Sequence, residues 1–249
     1  MPYPTALQLY TIRHLSDDAA QLIRHAAEAG YAGVEGGYGP DMDAAKLKEV
    51  LSEHDVKMVS AHVALADLED NLDDAITFHK TLDNTVLVLP WLDDNLYSDD
   101  QESWETLGKR FQPIAEKVQA QGMSLLYHNH SFEFGEYDGK LGLEHLLDNA
   151  PALGLELDLG WCQEGGVDPY PLLEKYSGRV SRVHVKDRAP QGKNTDQGGW
   201  ADVGQGVIDF PPLLEAARNA GAEWFIVEHD EPKDPLQTIK RSHDYLTTL

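Results

Sequence analysis

Thr85-Val86-Leu87-Val88-Leu89 is an unbroken β-prone run. A strand wetted on one face alternates apolar with polar side chains. This one does not, so it reads as a strand covered on both faces, as in a parallel sheet packed between helices. Working outward, the flanking segments keep one rhythm. Lys57 to Val63 is a strand, followed by an acidic helix, Asp67 to Leu82. Beyond Leu89 come a long helical pattern, Ser98 to Gln121, ended by Gly122, and a fifth strand, Met123 to His130.

The rhythm reaches both ends. Ala6 to Tyr10 reads as the first strand. Asp17 to Ala29 follows with apolar positions at Ala19, Leu22, Ile23, Ala26 and Ala27, a helical period that Gly30 stops. Ala32 to Glu35 is a strand and Met42 to His54 a helix. Leu141 to Asn149 is a short helix, Leu153 to Leu159 a strand, and Pro169 to Tyr176 a helix capped by Asp168. Val180 to Lys186 and Glu223 to Glu228 are the last strands. Phe210 to Ala220, ended by Gly221, and Pro235 to Leu246 are the last helices. Eight strands, each followed by a helix, predict the α/β class and a (β/α)₈ TIM barrel, one domain over residues 1–249. A doubly wound open sheet fits worse, because no Gly-rich phosphate loop follows the first strand. Asp187 to Val207, rich in Gly, Gln and Asn, is expected to be a functional or disordered loop.

The 249 residues match the ~250 typical of that barrel. Forty-three acids against 20 bases give a net charge of −23, which repels nucleic acid and anionic membranes. The lone Cys162 allows no intrachain disulfide and suits a reducing compartment. Met1 to Tyr10 carries no basic region followed by an apolar run, so no signal peptide is read. No stretch reaches the ~18 apolar residues of a membrane span, and a cytoplasmic protein is expected.

Titratable residues gather where the strands end. Strand two ends in Glu35 and strand three in His62. Strand five ends in His128, Asn129 and His130, with Glu133 just beyond. Strand six carries Glu156 and Asp158, strand seven His184 and Lys186, and strand eight Glu228. In such barrels the active site forms at the C-terminal strand ends. Alternation puts Arg182, His184 and Lys186 on one face and Val183 and Val185 on the other, so His184 points into the barrel mouth. Asp158 and Glu156 share a face likewise. Imidazole and carboxylates converging there suit one divalent ion, Mn²⁺, Mg²⁺, Co²⁺, Fe²⁺ or Zn²⁺, on ligands drawn from His128, Asp158, His184 and Glu228. Without thiolates a closed structural zinc site is not expected. Glu35, His62, Trp161, Trp91 and Arg13 are candidate substrate contacts. The tryptophans, Trp200 included, offer faces for sugar C–H groups.

The motifs LQLYTIR, GYAGVE, SAHV, YHNHSFEF, LDLGW, HVKD, VGQGVIDF and VEHD cover nearly the whole chain. With them the chain resembles the sugar phosphate isomerase/epimerase family, the xylose isomerase-like TIM barrels. That resemblance implies a metal held by a strand-five residue with Asp158, His184 and Glu228. Relatives carry glutamate on strand five; the matching position here is His128, with Glu133 as the alternative ligand. The implied function is a metal-dependent sugar isomerase or epimerase working through a metal-stabilised enediolate. Glu228 or Glu133 would be the base, with Lys186 or His130 assisting. A lyase or dehydratase acting on a keto-sugar, keto-glycoside or inosose is the alternative. A non-catalytic sugar- or metal-binding barrel is a reading of another class. The expected partner is a small sugar or polyol, and barrels of this family often form homodimers.

Overall fold

The computed structural model describes residues 3–39 and 42–249; Met1 and Pro2, where the leader reading begins, lie outside them. Eight parallel strands close into a barrel: β1 Thr5–Gln8, β2 Gly33–Gly37, β3 Lys57–His62, β4 Val86–Leu89, β5 Ser124–His128, β6 Gly154–Asp158, β7 Val180–Val185 and β8 Trp224–Val227. Each strand pairs with its neighbours in sequence, and β1 closes the ring by pairing with β8 in the register Thr5–Phe225, Ala6–Ile226 and Leu7–Val227. The expected (β/α)₈ barrel is the fold of the chain.

Alternation sorts the side chains as expected. Val183 and Val185 of β7 and Leu87 and Leu89 of β4 join the large apolar layer between barrel and helices. Inside, Ala6, Val59 and Ile226 make one small apolar cluster, and Val86, Val88 and Leu126 another. Gln8, Glu35, Glu156 and His184 are fully or almost fully buried on inward positions nearer the mouth. The barrel thus has an apolar floor and a polar upper layer.

Local chemistry explains where elements begin and end. Asp18 caps α1, Ala19–Ala29, by accepting from the Ala20 amide, and Gly30 ends it at φ 105°. β1 is shorter than expected. The Gln8 side chain accepts from the Tyr10 amide, and the chain turns at once into a 3-10 helix, Leu9–Leu15. α2 is Ala44–Glu53. The acidic helix expected over 67–82 is two helices, α3 Leu65–Asp70 and α4 Leu72–Thr81. Asn71 stands between them, with its amide on Asp67; short polar side chains of this kind compete with helix backbone bonding. α5 runs Gln101–Ala120 and α6 Gly142–Asp148. A short α7, Leu159–Glu164, follows β6 directly, and α8 is Pro169–Lys175, capped by Asp168 as expected. α9 is Phe210–Ala220 and α10 Pro235–Thr247. The long loop after β7 carries a small antiparallel pair, Asp187–Arg188 with Trp200–Ala201. Among the described residues no helix is long and apolar enough to cross a membrane.

Candidate metal centre and active site

Four consecutive strand ends bring the expected ligands together. Donor atoms of His128, Asp158, His184 and Glu228 all lie within 4.8 Å of one another. His184 Nδ1 is 3.1 Å from Glu228 Oε2 and 3.7 Å from Asp158 Oδ2. His128 Nε2 is 3.9 Å from Asp158 Oδ2. All four residues are buried. Asp158 uses Oδ1 to cap α7, accepting from the Trp161 amide at 2.7 Å. Its Oδ2, buried, has no hydrogen-bond partner among the described residues. The Asn129 side chain accepts from the Asp158 amide and fixes that strand end.

A divalent ion fits this donor set. The unpartnered Asp158 oxygen is a group that burial penalises unless something positive meets it. Mixed imidazole and carboxylate donors without thiolate match Mn²⁺, Fe²⁺, Co²⁺ or Zn²⁺. Electrostatics agree. Burial, and then Glu228, push the Asp158 carboxyl up to about 7 despite Lys186 and His184. Burial would raise Glu228 too, but Lys186 and then His184 hold it well below the usual carboxylate range.

Lys186 is almost completely buried, an exceptional place for an ammonium. Its Nζ lies 2.6 Å from Asp230 Oδ1 and 3.3 Å from Glu228 Oε2. It sits 4.7 Å from the Trp161 ring centre and 4.3 Å from that of Trp200. Burial would lower it, but Glu228, Asp158 and Asp230 raise it above the ordinary lysine value. Asp187, next in sequence, does a structural job: it accepts the amides of Gly204, Gly206 and Ile208 and fastens the VGQGVID loop. A Cβ at Gly206 would overlap the Arg188 carbonyl and the Asp187 carboxylate, so only glycine fits there.

These groups open onto a pocket of about 400 Å³ lined by Tyr10, His62, Trp91, His128, His130, Trp161, Lys186, Glu228 and Asp230. A cleft of about 490 Å³ near the opposite end of the barrel contains Arg182, Lys57 and Trp224. There the Arg182 guanidinium already donates to the Val59 and Ser181 carbonyls and to Glu223. The candidate metal ligands thus gather near the pocket at the mouth, not at this cleft.

The remaining sequence candidates separate. Trp91, His62, His130 and Trp161 line the pocket. Burial pushes His130 down to about 3, with Lys186 adding to the effect, so its imidazole is neutral. Glu35 is fully buried, 2.7 Å from His184 Nε2 and 3.0 Å from His62, a partner of these histidines rather than a free wall of the pocket. Arg13 donates to the Tyr10 and Asp230 carbonyls and to Glu231, at the rim. Glu133 is not among the pocket residues; it accepts from the Tyr127 hydroxyl and the His130 amide, and burial pushes its carboxyl up to about 8. Glu156, Asp230 and Gln8 carry no assignment from sequence. Glu156 was visible on the face of Asp158, and Asp230 in the VEHD string.

The chain belongs to the xylose isomerase-like TIM barrel family, whose model matches residues 23–249. It is 27% identical to the rhizopine catabolism protein MocC of Rhizobium meliloti, over 92% of this chain and 81% of that one. It is 24% identical to an inosose dehydratase of Lacticaseibacillus casei over 62% of this chain, which spans just over half (57%) of that relative. Among solved structures, a sugar phosphate isomerase/epimerase from Parabacteroides distasonis superposes with a TM-score of 0.77 at 23% identity, covering 99% of this chain and 94% of that one. IolI, with a zinc atom bound, gives 0.73 at 17% identity, covering 100% and 98%.

Proposed function

We propose that this protein is a divalent-metal-dependent lyase that removes water from a keto-sugar or keto-cyclitol. One observation carries it: Asp158 and His184, fully buried, converge on Glu228 at the floor of a small pocket lined by Glu228 and the Lys186 ammonium. The relative named for inosose dehydration turns the reading from isomerisation towards elimination. Asp158, His184 through Nδ1, and Glu228, with His128 alongside, would hold the ion. When bound, it would supply Lewis-acid polarisation of a substrate carbonyl or hydroxyl.

The residues do the rest. The Glu228 carboxylate takes the proton from the carbon next to the carbonyl. Lys186 faces the oxygen on which negative charge grows and donates to it. The neighbouring C–O bond breaks, a proton accompanies the departing hydroxyl, and a C=C bond forms. One carbon is oxidised and its neighbour reduced, so no external oxidant is needed. Trp91 and Trp161 offer apolar faces to the ring C–H groups, and neutral His130 offers a hydrogen bond.

In a sugar the carbon that loses its proton bears a hydroxyl. The enone is then the enol of a 1,2-diketone, which o-phenylenediamine traps as a chromophoric quinoxaline. With metal-loaded protein and a panel of inososes and keto-sugars in D₂O, at least one should give quinoxaline and lose water. Glu228→Gln should lower that rate about 10²–10⁴-fold with an unchanged circular dichroism spectrum. Deuterium uptake with aldose–ketose interconversion and no diketone would replace elimination by isomerisation. Wild-type rates in Glu228→Gln would remove Glu228 from the chemistry.

A further inference from the structure

Below the floor just described lies a second cluster. Glu156 Oε2 is 3.4 Å from His62 Nε2, 3.4 Å from His128 Nδ1 and 3.2 Å from His184 Nε2. Ligand atoms of these four residues again lie within 4.8 Å of one another. A tetrahedral ion with bonds of roughly 2.0–2.1 Å holds its ligands about 3.3 Å apart. The three spacings fall on that edge length. Two of them, at 3.4 Å, are long for hydrogen bonds, and His128 Nδ1 and Glu156 Oε1 are buried without a hydrogen-bond partner among the described residues. Glu35 and Glu156 are two fully buried carboxylates whose ion-pair partners among the described residues are imidazoles alone. Two protonated imidazoles, or one divalent cation in their place, balance the two carboxylates.

We propose that the barrel holds a second divalent ion beneath the first, on Glu156 Oε2, His62 Nε2, His128 Nδ1 and His184 Nε2, with Glu35 alongside. The two sites meet at the His184 ring, whose Nδ1 faces Asp158 and Glu228 while its Nε2 faces Glu156 and Glu35. His128 belongs to the lower ion, since its Nδ1 is nearer Glu156, at 3.4 Å, than its Nε2 is to Asp158, at 3.9 Å. The upper ion then keeps three protein ligands and a place for substrate, the usual form of a catalytic site. Three imidazoles favour Zn²⁺ or Co²⁺ over Mg²⁺. His62 lines the pocket, which gives the ion an entry route. With both nitrogens ligating, His184 gives up its N–H proton to solvent on loading.

The test uses full-length protein stripped of metal and reloaded with Co²⁺ or Zn²⁺. Elemental analysis should find two ions per wild-type chain. Glu156→Gln and His62→Asn, which spare Asp158 and Glu228, should each leave one. Asp158→Asn should also leave one, the lower. Anomalous scattering from Co²⁺-soaked wild-type crystals decides the matter even if a variant fails to fold. It should show density between Glu156 and the three imidazoles. One ion per wild-type chain, at Asp158 and Glu228 and retained in Glu156→Gln, overturns the second site. One ion found only at Glu156 upholds it and overturns the upper site instead.

Discussion

Asp158 uses its two carboxylate oxygens differently: one caps α7, and the other faces the candidate metal ligands without a hydrogen-bond partner among the described residues. The cap and the free donor oxygen thus belong to one side chain. The strand-end rule brought His128, Asp158, His184 and Glu228 to one place because alternation and strand polarity are properties of the chain itself. The same alternation puts Glu156 beneath Asp158, but depth in the barrel depends on register between strands, and β6 shifts against β7 between Leu155 and Glu156. Such a shift is invisible in one sequence. Glu133 was read as reaching back to the site; whether it does is set by the 3-10 turn Phe132–Phe134, and there Tyr127 and the His130 amide hold it. Lys186 carries the residue-scale prediction. Lys186→Met keeps the length of the side chain between Trp161 and Trp200 but removes the charge that most lowers Glu228. In metal-free protein the Glu228 carboxyl should then titrate at higher pH, followed by carbon-13 NMR of labelled glutamate carboxyls. A Glu228 titration that stays in place or moves down would show that Lys186 does not set its acidity.

The elements most legible in sequence were those bounded by local chemistry. α9 begins and ends where periodicity and Gly221 say, and Asp168 caps α8 as expected. The break at Asn71 and the early end of β1 were not legible, because each depends on where one polar side chain folds back. α4 makes its own prediction. His79 is fully buried there, packed near Phe78 and Tyr38, with Nδ1 3.3 Å from the Asn84 amide and Nε2 unpartnered among the described residues. Burial pushes it down to about 4. The unfolded chain takes the proton near pH 6.5, before the native state can. The His79 contribution to stability is therefore complete above pH 6.5 and is lost as pH falls towards 4. The loss is on the order of 3 kcal/mol once both states are protonated. His79→Phe should flatten this part of the stability curve. Urea unfolding of both proteins between pH 7 and pH 4.5 checks it; parallel curves would clear His79 of acid sensitivity.

At the scale of the molecule the fold was legible in full, because a closed parallel barrel is a repeat and a repeat survives errors at single boundaries. What the repeat cannot carry is the surface, and there the net charge of −23 decides. Two effects of salt oppose each other. Screening weakens exposed ion pairs such as Lys233–Asp196 and Lys48–Asp83, but pairs of this kind are worth only about 0–1 kcal/mol each. Screening also relieves repulsion among the excess acids, which favours the compact state wherever net charge is large. With more than two acids for every base, repulsion should win. Raising NaCl from about 0.01 M to about 0.1 M shortens the screening length from about 30 Å to about 10 Å, below the span of the barrel. The thermal midpoint of metal-free protein should rise by about 2–4 °C, the size of a gain of about 1 kcal/mol in a chain of this length. Chelated protein keeps ion binding out of the comparison, and chloride avoids the general stabilisation that sulfate gives. A midpoint that falls with NaCl would mean that the local pairs outweigh the field of the whole surface.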